Sequence, residues 1–171
     1  MNLLYQDAHM VVCVKPAGLL AQADSKGGES AVSKLEAAFG SIYPVHRLDK
    51  DTGGVMVFAR TNAAAAQLSR AVQEGSMVKE YIAMVHGIPE SKGDWNDFLF
   101  KDSRKNKVFV VKRERKGVKK ARLAFQTLQA GEQSLVHVRL YTGRSHQIRV
   151  QFSSRGFPLV GDHKYGSRDE A

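Results

Sequence analysis

Two polar clusters in the sequence carry side chains equipped for chemistry. The first, His46-Arg47-Leu48-Asp49-Lys50-Asp51-Thr52-Gly53-Gly54, sets a carboxylate between two cations and follows it with a second carboxylate. The second, Gly143-Arg144-Ser145-His146-Gln147-Ile148-Arg149, supplies two guanidiniums and an imidazole with no acid. Hydrolysis of a glycosidic bond normally uses two carboxylates, one of them a general acid. Asp51 is the only second carboxylate available beside Asp49 in the sequence, and Asp-Lys-Asp-Thr-Gly also reads as solvated turn chemistry. His46 and Asp49 form an H-x-x-D pair, but no further histidines and carboxylates stand at ligand spacing, so no metal is expected.

Both clusters lie at strand ends, where a rigid sheet presents functional loops. Residues 3–5 and 10–14 read as strands, and Lys15-Pro16-Ala17-Gly18 turns the chain after the second. A helix is predicted over 29–39, with Ser30 as cap and Gly40 as stop. Residues 55–59 form an apolar strand directly after the first cluster. Thr61 then caps an alanine-rich helix whose inward face is Ala64, Leu68, Ala71 and Val72. A strand over 77–85 follows. Leu123, Phe125 and Thr127, then Val136, Val138 and Leu140, alternate with a period of two and predict a hairpin around Gly131. A helix over 145–155, with Ile148 and Phe152 on its buried side, completes the reading. The expected architecture is α+β, a predominantly antiparallel mixed sheet with two or three flanking helices.

The chain has 171 residues, 43% of them hydrophobic and 25% charged, which excludes a disordered chain and fits one domain with a substantial core. Its net charge of +9 comes from 26 basic and 17 acidic residues. Residues 101–122 hold eleven of the basic and two of the acidic ones, so the rest of the chain is balanced. A local excess of this kind points to a polyanionic partner, nucleic acid ahead of membrane. Val108 to Val111 suggests a strand inside that segment, with the cations projecting from a hairpin. Cys13 is the single cysteine, so no intrachain disulfide is possible, as in a reducing compartment. No apolar run near the start approaches the ~20 residues of a membrane span, and no signal peptide is evident.

His46-Arg47-Leu48-Asp49-x-x-Thr52-x-Gly54 ahead of an apolar strand resembles the signature of the RluA-type pseudouridine synthases. Lys15-Pro16-Ala17-Gly18 resembles that family's N-terminal turn, and Lys79-Glu80-Tyr81-Ile82-Ala83-Met84-Val85-His86-Gly87 resembles its tyrosine strand. The Gly143 to Arg149 cluster, with Gly156-x-Pro158-Leu159-Val160-Gly161-Asp162-x-x-Tyr165-Gly166, resembles its C-terminal signature. The four motifs occur in family order across residues 3–166.

The resemblance implies the pseudouridine synthase catalytic fold over residues 1–171 and a cofactor-free isomerisation of uridine in RNA. In that reaction the C1′–N1 bond breaks, uracil turns, and C1′ bonds to C5. Asp49 matches the essential aspartate, acting either as nucleophile at C1′ or as base at C2′. An ionised carboxylate in a dry pocket needs a fixed cation, and Arg149 matches the family's arginine paired with that aspartate. Tyr81 matches the tyrosine that stacks on the uracil, and Ile148 is expected against the other side of the ring. Arg47 matches a position that fills the space left by the flipped nucleotide. Arg144, His146, Lys105, Lys107, Lys112, Arg113, Arg115, Lys116, Lys119 and Lys120 are expected to hold RNA. His46 is expected to orient its loop or touch phosphate.

The implied partner is structured RNA, ribosomal or transfer, for a cytoplasmic monomer with no membrane or protein partner. Thr52-Gly53-Gly54 departs from the family's Thr-Ser-Gly, a change expected to loosen the loop. Leu3 already begins the catalytic pattern, so no separate N-terminal RNA-binding module is expected, and the chain ends soon after Tyr165-Gly166 where relatives continue into another strand. Two alternatives stand beside this reading: a non-catalytic RNA-binding module of the same fold, and a nucleoside hydrolase or glycosylase.

Overall fold

A computed structural model describes residues 1–24 and 27–166. The chain divides into two compact units, Met1–Met77 and Val78–Ala171. The first unit is built on a four-stranded sheet of order β1-β2-β4-β3, from β1 (Asn2–Gln6), β2 (Met10–Lys15), β3 (Tyr43–Pro44) and β4 (Gly54–Ala59). All its named pairings are antiparallel. In β2 every second residue is buried, Val11, Cys13 and then Lys15. The period-two pattern thus carries a lysine onto the core face with two apolar residues.

Helix α1 (Ala31–Phe39) starts where Ser30 and Ser33 cap each other reciprocally, and Gly40 ends it. Such a cap contributes about 1 kcal/mol. Helix α2 (Asn62–Glu74) begins at Thr61, whose hydroxyl accepts from the Ala64 N–H, and packs on β4 and β3. Ala64 is buried and Leu68, Ala71 and Val72 are half-buried, the predicted face.

The second unit carries a five-stranded antiparallel sheet of order β5-β9-β8-β6-β7. Its strands are β5 (Lys79–His86), β6 (Lys92–Asp102), β7 (Lys107–Val111), β8 (Val118–Gln129) and β9 (Gln133–Leu140). Val85, Leu123, Phe125, Val136, Val138 and Phe152 form its main core, with Trp95 packed against them. Burying Phe152 completely contributes about 2–3 kcal/mol. Gly93 is required there: a Cβ would collide with the Phe125 ring.

The α+β class and the antiparallel sheet are as expected, and three elements differ. Strand β6, eleven residues long, has no clear sequence signal. Its inward positions are Gly93, Trp95, Asp97 and Leu99, so a glycine and a carboxylate interrupt the apolar alternation. Asp97 is tolerated because Arg155 forks onto it and Gln151 donates to it. Strand β5 starts at Lys79 instead of residue 77. The last helix, α3, spans Gln147–Ser153 and not 145–155, because His146 before it is left-handed (φ 51°, ψ 27°).

Candidate active site

Asp49 lies in the loop leading into β4, half-buried, with Leu48 beside it anchored in the core and Arg47 exposed. The loop is fastened by backbone carbonyls. The Thr52 N–H donates to the Asp49 carbonyl, closing a turn, and the Gly18 N–H donates to the Lys50 carbonyl. Beneath them, the fully buried Lys15 ammonium donates to the carbonyls of Pro16 (2.9 Å), Leu19 (2.6 Å) and Lys50 (2.9 Å). One cation therefore ties the Lys15-Pro16-Ala17-Gly18 turn to the turn carrying Asp49. Burial pushes the Lys15 ammonium below its ordinary value, and the Asp51 and Asp49 carboxylates oppose that shift.

His46 closes the other side of the loop. Its Nε2 accepts the Val57 N–H of β4 at 3.0 Å, which assigns the Nδ1–H tautomer to the neutral ring. Of the two roles expected of it, orienting the loop or touching phosphate, this contact is of the first kind. Gly54 has φ 147° and so needs glycine, whereas Gly53 is not among the positive-φ glycines. A Cβ at position 53 would rest 3.4 Å from the Ala17 N, an ordinary contact with the neighbouring turn.

In the second unit, Tyr81 on β5 pairs with Val138 and packs, half-buried, on the main core. Ile148, in the first turn of α3, packs against that same core. Arg149 follows it, its Nε and Nη2 donating to Asp162 at 2.6 and 2.9 Å. Asp162 is 8% exposed, so this bidentate pair fixes the guanidinium in largely dry surroundings.

Gln147 locks the preceding loop: its Oε1 accepts from the Thr142 hydroxyl and the Arg144 N–H, and its Nε2 donates to the Arg122 carbonyl. Arg144, exposed at its tip, donates through Nε to the Lys120 carbonyl of β8. Lys79 lies nearby, its ammonium pushed below the ordinary value first by burial and then by Arg144.

Tyr165 joins several of the expected residues. Its hydroxyl lies 2.8 Å from His146 Nδ1 and accepts the Val108 N–H at 2.8 Å. Arg149 and Lys107 stand 5.0 and 5.3 Å from its ring centre. Lys105 lies in the β6–β7 turn, Lys112, Arg113, Arg115 and Lys116 in the β7–β8 connection, and Lys119 and Lys120 on β8. The cations do project from β hairpins.

Asp162, Gln147 and the ammonium network of Lys15 had no assigned task in the sequence. Asp162 and Tyr165 were visible only as motif letters, 13 and 19 residues from the groups they hold. For Lys15 the signal was there: a lysine in phase with Val11 and Cys13 on a strand.

Known proteins resemble this chain over most of its length. It is 33% identical over 173 residues to "Ribosomal large subunit pseudouridine synthase C" of Buchnera aphidicola subsp. Acyrthosiphon pisum, covering 98% of this chain and 55% of that protein. It is 34% identical over 174 residues to "Dual-specificity RNA pseudouridine synthase RluA" of Haemophilus influenzae, covering 96% and 77%. The chain thus spans about half the length of several curated relatives it matches. The solved structure of "Human RNA Pseudouridylate Synthase Domain Containing 4" superposes with a TM-score of 0.79 at 28% identity, covering 99% of this chain and 70% of that one. The family described as RNA pseudouridylate synthase matches residues 9–154, a span that takes in both polar loops, and the chain belongs to that family.

Proposed function

We propose that the chain isomerises specific uridines to pseudouridine in structured RNA, with Asp49 as the catalytic residue. The family match over residues 9–154 carries this reading, and it runs across both units, which we treat as one catalytic domain. Asp49 acts on the sugar while C1′–N1 breaks and C1′–C5 forms, and the C5 proton leaves to solvent. Lys15 supports that role by holding the Lys50 carbonyl next to the carboxylate and the carbonyls of Pro16 and Leu19 in the neighbouring turn. In this reading Tyr81 and Ile148 bind the uracil, Arg149 holds the charge balance, and Arg47 fills the space left in the RNA. Arg144, His146 and the cations of residues 101–122 dock the surrounding RNA.

Relatives named for the large ribosomal subunit make ribosomal RNA the first substrate pool to test, with transfer RNA as the second. Among the described residues no helix is long and apolar enough to cross a membrane, and the proposal places the reaction in the cytoplasm. The test is tritium release from RNA labelled at uracil C5. The expected result is release by the wild type and none by Asp49→Asn, which still binds RNA. Absence of release from every cellular RNA pool would overturn the proposal, and free uracil among the products would establish a glycosylase instead.

A further inference from the structure

The hairpins bearing the charge excess also present a row of aromatic rings that the core does not use. Directly paired residues share a sheet face. Phe100 faces Phe109 on one side and Val118 on the other, and Phe98 lies between Val111 and Lys120. Leu99, Val108 and Ala121 alternate with these and fill the buried side. The outer face therefore carries Phe109, Phe100 and Phe98, and continues across β8 to Arg122, which stands over Tyr141.

Every ring on this row has a cation above or beside it. Lys107 Nζ is 6.0 Å from the Phe109 ring centre, Arg115 Cζ 5.4 Å from Phe100, and Lys120 Nζ 6.0 Å from Phe98. Arg122 and Arg139 lie 4.4 and 5.4 Å from Tyr141. Phe109 is 37% and Tyr141 43% exposed. Asp94 engages Arg122 and Glu114 approaches Lys120, so the other cations of the row supply most of its positive field.

Rings alternating with cations on an open sheet face match the needs of unpaired nucleic acid, with bases stacking on π faces and phosphates meeting the charges. A duplex hides its base faces and would use the cations alone. We propose that the outer face of β7-β6-β8, opposite the face on which Tyr81 packs, is a stacking platform for unpaired RNA bases, with Phe109 and Phe100 as its central rings. This rests on residues 101–122 being the RNA-docking element.

The test uses fluorescence anisotropy of the whole chain with a labelled single-stranded oligouridylate 12-mer and an RNA duplex of equal length. Phe109→Leu keeps an apolar side chain on the edge strand but removes the π face. It should weaken single-strand binding about 5- to 150-fold, the equivalent of ~1–3 kcal/mol per stacked base. The duplex should be unaffected, and the log–log salt slope unchanged. Lys107→Gln should instead flatten that slope by about 0.7.

Single-strand affinity within twofold of wild type in Phe109→Leu, or an equal loss on the duplex, overturns the platform. Wild-type binding that does not vary with salt overturns the docking element beneath it. Photocrosslinking the wild type to a 5-iodouridine 12-mer decides the matter without a variant. Crosslinks are expected in tryptic peptides 108–112 and 93–101, and crosslinks confined to other peptides overturn the proposal.

Discussion

The two polar loops are held in opposite ways. Apart from the His46 ring on the Val57 N–H, the Asp49 loop is gripped by its backbone: Lys15 and neighbouring N–H groups bind carbonyls, which any side chain at those positions would still offer. The Arg149 loop is gripped by its side chains, through Gln147, the His146–Tyr165 contact and the Arg149–Asp162 fork. The first arrangement fixes where the Asp49 side chain leaves the main chain. The second fixes the orientation of a planar cation, which a main-chain anchor alone cannot do because arginine has four rotatable bonds to restrain.

That contrast fails most visibly if Asp162 can be neutralised without consequence. Asp162→Asn removes the charge that aligns the guanidinium, and a misdirected group of this kind costs about 100-fold in rate. Single-turnover tritium release should fall by that order, while RNA affinity changes less than threefold. An unchanged rate would mean that Arg149 is positioned by something other than its fork.

A smaller effect is expected in the first unit. Lys15→Met leaves three carbonyls without their cation and should lower the unfolding free energy by about 3 kcal/mol in urea melts. The same substitution should alter the pH dependence. Burial holds the Lys15 proton less firmly in the folded chain than in the unfolded one, so the unfolded chain binds more protons just below the ordinary value of 10.5. Stability therefore rises with pH in that alkaline window, from the lowered folded value up to 10.5. Lys15→Met should remove part of the rise, and Lys79→Met, whose ammonium is also lowered by burial, a further part. A profile identical to wild type in both variants would sink the assignment of buried charge to these lysines.

The smallest expected change sharpens the comparison. At Gly53 a side chain fits against the Ala17 backbone, and its φ is not in the left-handed region. Gly53→Ser should then raise stability by roughly 0.5 kcal/mol by restricting the unfolded chain, seen as a higher urea midpoint. A loss instead would show that the loop needs the glycine's freedom.

The same contrast explains what the sequence made legible. The Asp49 loop depends on local turn chemistry, so its position before β4 could be read in advance, and orienting the loop was one of two roles expected of His46; the anchoring by Lys15 was not assigned. Strands β8 and β9 were clear from strict alternation. The Arg149 loop depends on partners that lie elsewhere in the chain, and no local pattern links Arg149 to Asp162 or His146 to Tyr165. Strand β6 was hidden for a related reason: Asp97 on its inward side is acceptable only because Arg155, 58 residues away, neutralises it. Helix α3 was overextended because nothing in Ser145-His146 announces a left-handed backbone at a histidine.

The hydroxyl of Tyr165 has one more consequence. Strand β7 is at the edge of its sheet, and the outward N–H of Val108 is satisfied by that phenol instead of by another strand. Solvent exchange of the Val108 amide is therefore governed by how often Tyr165 lets go, not by opening of the β6–β7 ladder. Since the phenol also meets His146, one backbone proton in the basic hairpin serves as a native clock for the loop that carries Arg149.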